Sequence, residues 1–300
     1  MIRLLAIFLA SVAAGFAGPY PGAAGTAGSD AIWKDDPAFA AWASGHLDYV
    51  WGQNVSSSWR TPAKAYGKAT EDVFDIVCLG DSGKITMYFP HPIKDGPGPD
   101  FAVFENSFSP TFLELAFVEV SSDGVNFFRF PNDSKTPAAT NSIDPTNLSG
   151  LAGKYVGGYG TPFDLSVLEA SALLDKGNIR FVRLIDILGN GSAKDSDGGP
   201  IYDPYPNVGS AGFDLDAIGV IHQNDGAFRM LRSVVAGANI QLEWESNPGT
   251  SYRVERSIGS LGGWQPVQVL AGVTTAGSTV LSVPVPPGEE ACFWRVAEVE

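Results

Sequence analysis

The chain has 300 residues and a formal net charge of −14, with only 17 % charged side chains but 35 Gly and 21 Pro. Such an acidic chain is a poor nucleic-acid binder, because phosphates demand a basic surface, and it is equally unsuited to anionic membrane surfaces. Abundant Gly and Pro, with no long Ala/Leu/Glu/Lys stretch, exclude a helical bundle and suit short strands joined by tight turns.

Residues 1–17 read as a signal peptide: Arg3 is the positive start, residues 4–14 are apolar, and Gly15-Phe16-Ala17 supplies small residues for a cut after Ala17. The apolar run is shorter than the ~20 residues of a spanning helix. No Cys follows it, and the chain closes on Ala297-Glu298-Val299-Glu300. The expectation is a mature protein without a membrane span, located in the periplasm, outside the cell or on its surface. Residues 18–32 are rich in Gly and Ala and read as a flexible lead-in. Asp36 followed by Pro37 predicts a capped helix ending near Gly45, with Phe39, Trp42 and Ala43 on one face.

From residue 73 the pattern changes to strands, predicted over 73–79, 84–89, 100–105, 113–121, 127–130, 179–188 and 213–222. Ile85, Met87 and Phe89 alternate onto one face, and Ser122-Asp123-Gly124 predicts a hairpin turn. Residues 131–162 and 189–212 read as long loops, and 163–172 as containing a short helical turn. Residues 33–225 thus form one β-domain. Six further strands, over 228–233, 240–245, 251–257, 265–271, 279–283 and 292–296, suit a small β-sandwich over 228–300. Cys78 and Cys292 fall in different units and read as separate buried thiols.

The runs WASGHLDYVWGQNVSSSW, LGDSGKITMYFPHPIKDGPGPDFAVFENSF, ELAFVEVSSDGVNFFRF, FVRLIDI and GFDLDAIGVI occur in order over about residues 33–222. Together they resemble a group of bacterial cell-surface proteins whose members often carry PEP-CTERM sorting tails, a tail this chain lacks. The resemblance implies a jelly-roll sandwich similar to galactose-binding-like and discoidin-like domains, and a secreted or surface location. It implies no particular activity. LEWESNPGTSYRVERSIGSLGGWQPV and CFWRV look like the fibronectin-type-III-like modules that serve secreted bacterial proteins as spacers or sorting handles.

Two enzyme signatures are incomplete. Cys78-Leu79-Gly80-Asp81-Ser82-Gly83 is similar to the nucleophile segment of trypsin-like proteases, yet only His46 lies upstream and the triad context is missing. Read as a GDSL-type esterase block, the same residues lack the Gly-x-Asn-Asp and late Asp-x-x-His partners. A turn between strands needs only these small residues and Gly. His46, His91 and His222 have no zinc-ligand spacing.

Carboxylates are the more telling feature. Asp195, Asp197 and Asp203 share one Gly-containing loop, Asp186 precedes it, and Asp214 and Asp216 follow it two apart, hence on one strand face. Asp100, Glu105 and Asn106 flank another strand. An all-oxygen set of this kind suits a hard cation, calcium in an exported protein, although the Asp-x-Asp-Gly fragment lacks the EF-hand spacing. Glu105, Glu114, Glu119 and Asp216 are the residues a glycosidase pair would draw on. Among the loop aromatics, Tyr202 and Tyr205 are candidates for stacking on a glycan. Three readings follow: a calcium-stabilised, non-catalytic module binding a glycan or other cell-surface ligand; an extracellular hydrolase of polysaccharides or esters; and a purely structural surface protein.

Overall fold

In the computed structural model, which describes residues 18–224, 230–246, 249–259, 263–273, 277–288 and 291–299, the chain is all-β. The segment read as a signal peptide and residues 225–229 at the expected boundary lie outside the described residues.

Two antiparallel sheets build the larger sandwich. One runs Ile32–Trp33, Tyr159–Phe163, Phe101–Glu105, Asp214–Val220, with Ala41–Trp42 and Val77–Cys78 both paired to Asp214–Val220. The other runs Gly45–Val50, Lys84–Ile93, Ile179–Asp186, Ala116–Ser121, Phe128–Arg129. Most successive strands alternate between the layers, giving the jelly-roll connectivity. Period-two alternation places Ile85, Met87 and Phe89 inward against Val103, Leu215 and Ile218 of the facing sheet, all buried. In the smaller unit Met230–Ala236, Asn239–Ser246 and Gly277–Pro284 form one sheet. Gln265–Leu270, Ser251–Ile258 and Cys292–Val299 form the other, giving a small β-sandwich closed over Trp244 and Tyr252. Cys78 and Cys292 are free thiols.

Several local expectations are corrected. No helix forms over residues 36–45. Asp36 caps only a turn, accepting from Ala38 N–H at 2.9 Å, and the chain then extends into Ala41–Trp42. One helical turn cannot offset its nucleation cost. Extension instead lets the Phe39 and Trp42 rings pack on Phe104 at 5.6 and 5.4 Å. Gly219 permits that approach, since a Cβ there would stand 2.6 Å from Phe39. The short helical segments lie elsewhere, at Ser57–Trp59, Pro62–Ala65, Pro145–Asn147 and Leu165–Val167.

The segment 18–32 runs along the sandwich. Tyr20 N–H donates to Thr146 O at 3.1 Å, and Ile32–Trp33 pairs with Tyr159 and Gly160. The 189–212 loop contains the hairpin Asn190–Lys194 with Pro200–Tyr202. Gly80 to Gly83 is a turn, as expected, but not of a hairpin. Val77–Cys78 and Lys84–Ile93 lie in different sheets, so the turn carries the chain across the sandwich. Gly83 sits where a Cβ would strike Leu79 O at 1.9 Å.

One buried ion pair joins the two sandwiches. Arg180 Nη2 meets Glu245 Oε2 at 3.2 Å, Arg180 Nη1 donates to Pro90 O at 3.0 Å, and Asn178 Nδ2 donates to Glu245 Oε1 at 3.2 Å. Removing one partner leaves the other charge buried. Glu245→Ala is therefore expected to destabilise the protein by about 3–5 kcal/mol in urea unfolding, where an exposed pair would cost under about 1 kcal/mol.

Candidate functional site: an acidic recess

The Phe101–Glu105 strand ends beside the start of Asp214–Val220, and there the ladder is irregular. Leu215 pairs with Glu105 and Ala217 with Phe104, so Asp216 is an extra residue on its strand. Such a bulge re-aims side chains and breaks strict alternation. Asp214 faces a recess with Glu105, whereas Asp216 accepts Thr70 N–H at 2.9 and 3.1 Å. The expected shared face of Asp214 and Asp216 is therefore not used as a pair.

The recess has a volume of about 180 Å³. Glu105, Glu114 and Asp214 supply its carboxylates, with Asn106, Asn207 and Ser107 beside them. Asn207 Nδ2 donates to Glu114 Oε1 at 2.5 Å and to Pro204 O at 2.9 Å. Gly153 lets the neighbouring loop close on this segment: its φ is +87°, and a Cβ would stand 1.9 Å from Glu114 O. Phe108 and Val208 stand at the rim, 77 % and 82 % exposed.

No lining side chain of the recess is basic. Burial, then the nearby Glu114 and Asp214, push the Glu105 carboxyl well above its ordinary range. Burial and Asp214 raise Glu114 to about 10, against the pull of the Asn207 amide. Burial lifts Asp214 to about 7, opposed by a hydrogen bond from the Cys78 thiol, while Cys78 is itself raised by burial and by Asp214. Glu105 is 2 % exposed, and its Oε2 has no hydrogen-bond partner among the described residues; nor has the buried Asp214 Oδ1. Unpaired buried carboxylates either take up protons or hold a cation.

The other candidate carboxylates have different partners. Asp186 accepts Phe213 N–H at 2.7 Å and Ser82 N–H at 2.8 Å, and burial raises it to about 8. Asp203 accepts Leu115 N–H at 3.0 Å. Asp195 closes its own hairpin turn, accepting Asp197 N–H at 3.1 Å and Gly199 N–H at 2.7 Å, and also Ser134 N–H at 3.2 Å. The Asp197 side chain is exposed. Asp100 accepts Gly96 N–H and His222 Nδ1 at 2.8 Å on one oxygen and Leu165 N–H at 2.7 Å on the other. Its Oδ atoms come within 4.8 Å of Asp95 and Asp164, but N–H donors already serve both. Glu105, Glu114 and Asp214 do not all approach that closely, so an ion between them would draw them together. Tyr202 is half-buried over Gly191, and Tyr205 is partly exposed.

The structure thus gathers Glu105, Asn106 and Asp214 from the expected cation set, joins to them Glu114, expected only as a glycosidase candidate, and adds Asn207. A glutamate inside the apolar run FLELAF was the available signal for Glu114. Asn207 had none, because only folding brings its loop to the strand end.

No family model matches the chain, and no match was found among curated proteins. The crystal structure of a β-1,2-glucanase from Parabacteroides distasonis is similar at 13 % identity and a TM-score of 0.24, over 85 % of this chain and 37 % of that one. The chain spans little more than a third of that protein's length, and a likeness of this size transfers neither fold nor activity.

A carboxyl raised in the folded state stabilises the fold below its unfolded value, near pH 4, and that stability is lost as pH rises through the folded value. With Asp214 and Asp216 at about 7, Asp186 at about 8 and Glu114 at about 10, chelator-treated protein is expected to melt at progressively lower temperature from about pH 5 to pH 8. Asp214→Asn should flatten that slope, as read by scanning calorimetry.

Proposed function

We propose that the chain is an extracellular, non-catalytic binding module whose recess holds one calcium ion and whose exposed loops meet a glycan or other cell-surface ligand. The observation that carries this reading is the buried Glu105 Oε2, unpartnered beside two further carboxylates and no basic side chain. The donors are oxygens throughout, from Glu105, Glu114, Asp214 and the side-chain amides of Asn106 and Asn207, the set preferred by a hard cation. A volume of about 180 Å³ suits an ion with a few waters, being smaller than the ~300–1,000 Å³ of pockets that enclose organic ligands. The ion would neutralise the mutual repulsion of the carboxylates and fasten the 206–210 loop to the strand end. The resemblance to bacterial cell-surface proteins supports the location.

Calorimetric titration of chelator-stripped protein with calcium chloride is expected to show one site and to raise the melting temperature. Glu105→Gln and Asp214→Asn should each weaken binding at least ~10-fold, about 1.4 kcal/mol. Absence of both heat and melting shift in the wild type would remove the calcium reading. A hydrolase reading draws on the burial of Glu114 beside Asp214, which raises its carboxyl to about 10 and favours the protonated form that a general acid requires. Turnover on a polysaccharide and ester panel that Glu114→Gln abolishes, with the far-ultraviolet circular dichroism of the fold retained, would favour it.

A further inference from the structure

A second concavity shares no residue with the recess. It is a groove of about 460 Å³ between the 18–32 segment and the loops around residues 131, 150 and 162, adjoining another of about 610 Å³ along Pro131, Val167 and Ser196. Both volumes fall in the range of organic-ligand pockets. Lys154 lines the groove and is 4 % exposed as a residue, and its ammonium makes no hydrogen bond or ion pair among the described residues while keeping an opening to the groove. Its nearest recorded partner is the Tyr155 ring, 5.3 Å away. Burial lowers its pKa, with Asp30 opposing that shift. A largely buried ammonium that faces a groove without a protein acceptor presents its N–H donors to whatever fills that groove.

Carboxylates and an amide line the same groove. Asn132 Oδ1 and Asp133 Oδ1 are buried without partners, although Asp133 Oδ2 is held by Tyr20 Oη and by Lys135 Nζ at 2.8 Å. Exposed Asp197 and the carboxylate of Asp164 line it further. An anionic ligand would meet these carboxylates at close range, and a cationic one would meet Lys154. A hydroxyl avoids both conflicts, because it donates to a carboxylate while accepting from an ammonium. Exposed Pro131 and Val167 add apolar surface of the kind that packs on the C–H face of a sugar ring.

We propose that this Lys154 groove is a carbohydrate site selective for neutral, hydroxyl-rich oligosaccharides. The proposal deepens the glycan part of the binding reading and places it apart from the cation recess.

The test uses calorimetry and a glycan array, with neutral di- to hexasaccharides of glucose, galactose and mannose and oligogalacturonate as the acidic comparison. Calcium is titrated into the same samples. Wild type is expected to bind at least one neutral oligosaccharide and to bind oligogalacturonate at least ~10-fold more weakly. Lys154→Met, which keeps the buried stem, should weaken sugar binding at least ~10-fold, and Asp197→Ala, on the surface, several-fold. Glu105→Gln should leave sugar affinity within about twofold while losing calcium. The proposal is overturned if no neutral sugar binds, if oligogalacturonate binds best, or if Lys154→Met and Asp197→Ala both bind as wild type. Calcium binding with no sugar binding defeats the groove and leaves the recess reading standing; sugar binding without calcium binding does the reverse.

Discussion

The larger sandwich depends on buried aspartates that accept backbone N–H groups from distant parts of the chain. Asp216 takes Thr70, Asp186 takes Ser82 and Phe213, Asp100 takes Leu165, Asp203 takes Leu115 and Asp195 takes Ser134. Each bond satisfies an amide that would otherwise be buried unpaired where a loop leaves the ladder. Burial raises the Asp186, Asp203 and Asp216 carboxyls, so their bonds draw less on ionic charge than those of a solvated carboxylate would. The loops of this jelly roll are therefore held by side chains, where a regular sheet would use its own backbone.

The acidic recess stands out against that background. It has the same residue types, the same burial and the same position at strand ends, but Glu105 Oε2 and Asp214 Oδ1 lack donors. The bulge at Asp216 separates the two situations on one strand: Asp216 meets an amide and Asp214 meets a cavity. Where a fold supplies amides to nearly all its buried aspartates, carboxylates left without them mark a place where something other than backbone completes the structure.

The groove at Lys154 obeys the same logic with the opposite charge. Its floor depends on the 18–32 segment, since Tyr20 and Asp30 line it and Ile32–Trp33 extends the sheet beside it. The smaller sandwich meets the larger through Arg180 and Glu245. That contact shares no residue with the recess or the groove, so it leaves both open.

The strands of the smaller unit were legible to within three residues at their described ends, because short alternating runs separated by Gly and Pro leave few other local solutions. The all-β class, the Ser122-Asp123-Gly124 hairpin and the inward face of Ile85, Met87 and Phe89 were legible for the same reason. The sequence also marked the aspartates as unusual, and Glu105, Asn106 and Asp214 as members of one oxygen-rich set. It could not separate the aspartates that hold loops from the carboxylates that line a cavity, because donors such as Thr70 and Leu115 lie 146 and 88 residues away along the chain. The predicted helix at 36–45 failed on similar ground: the rings of Phe39 and Trp42 answer to Phe104 and Gly219, which are remote in sequence. Local periodicity determined which segments are strands. Tertiary structure alone decided which buried charges found partners, since pairing depends on which backbone amides folding brings within about 3 Å.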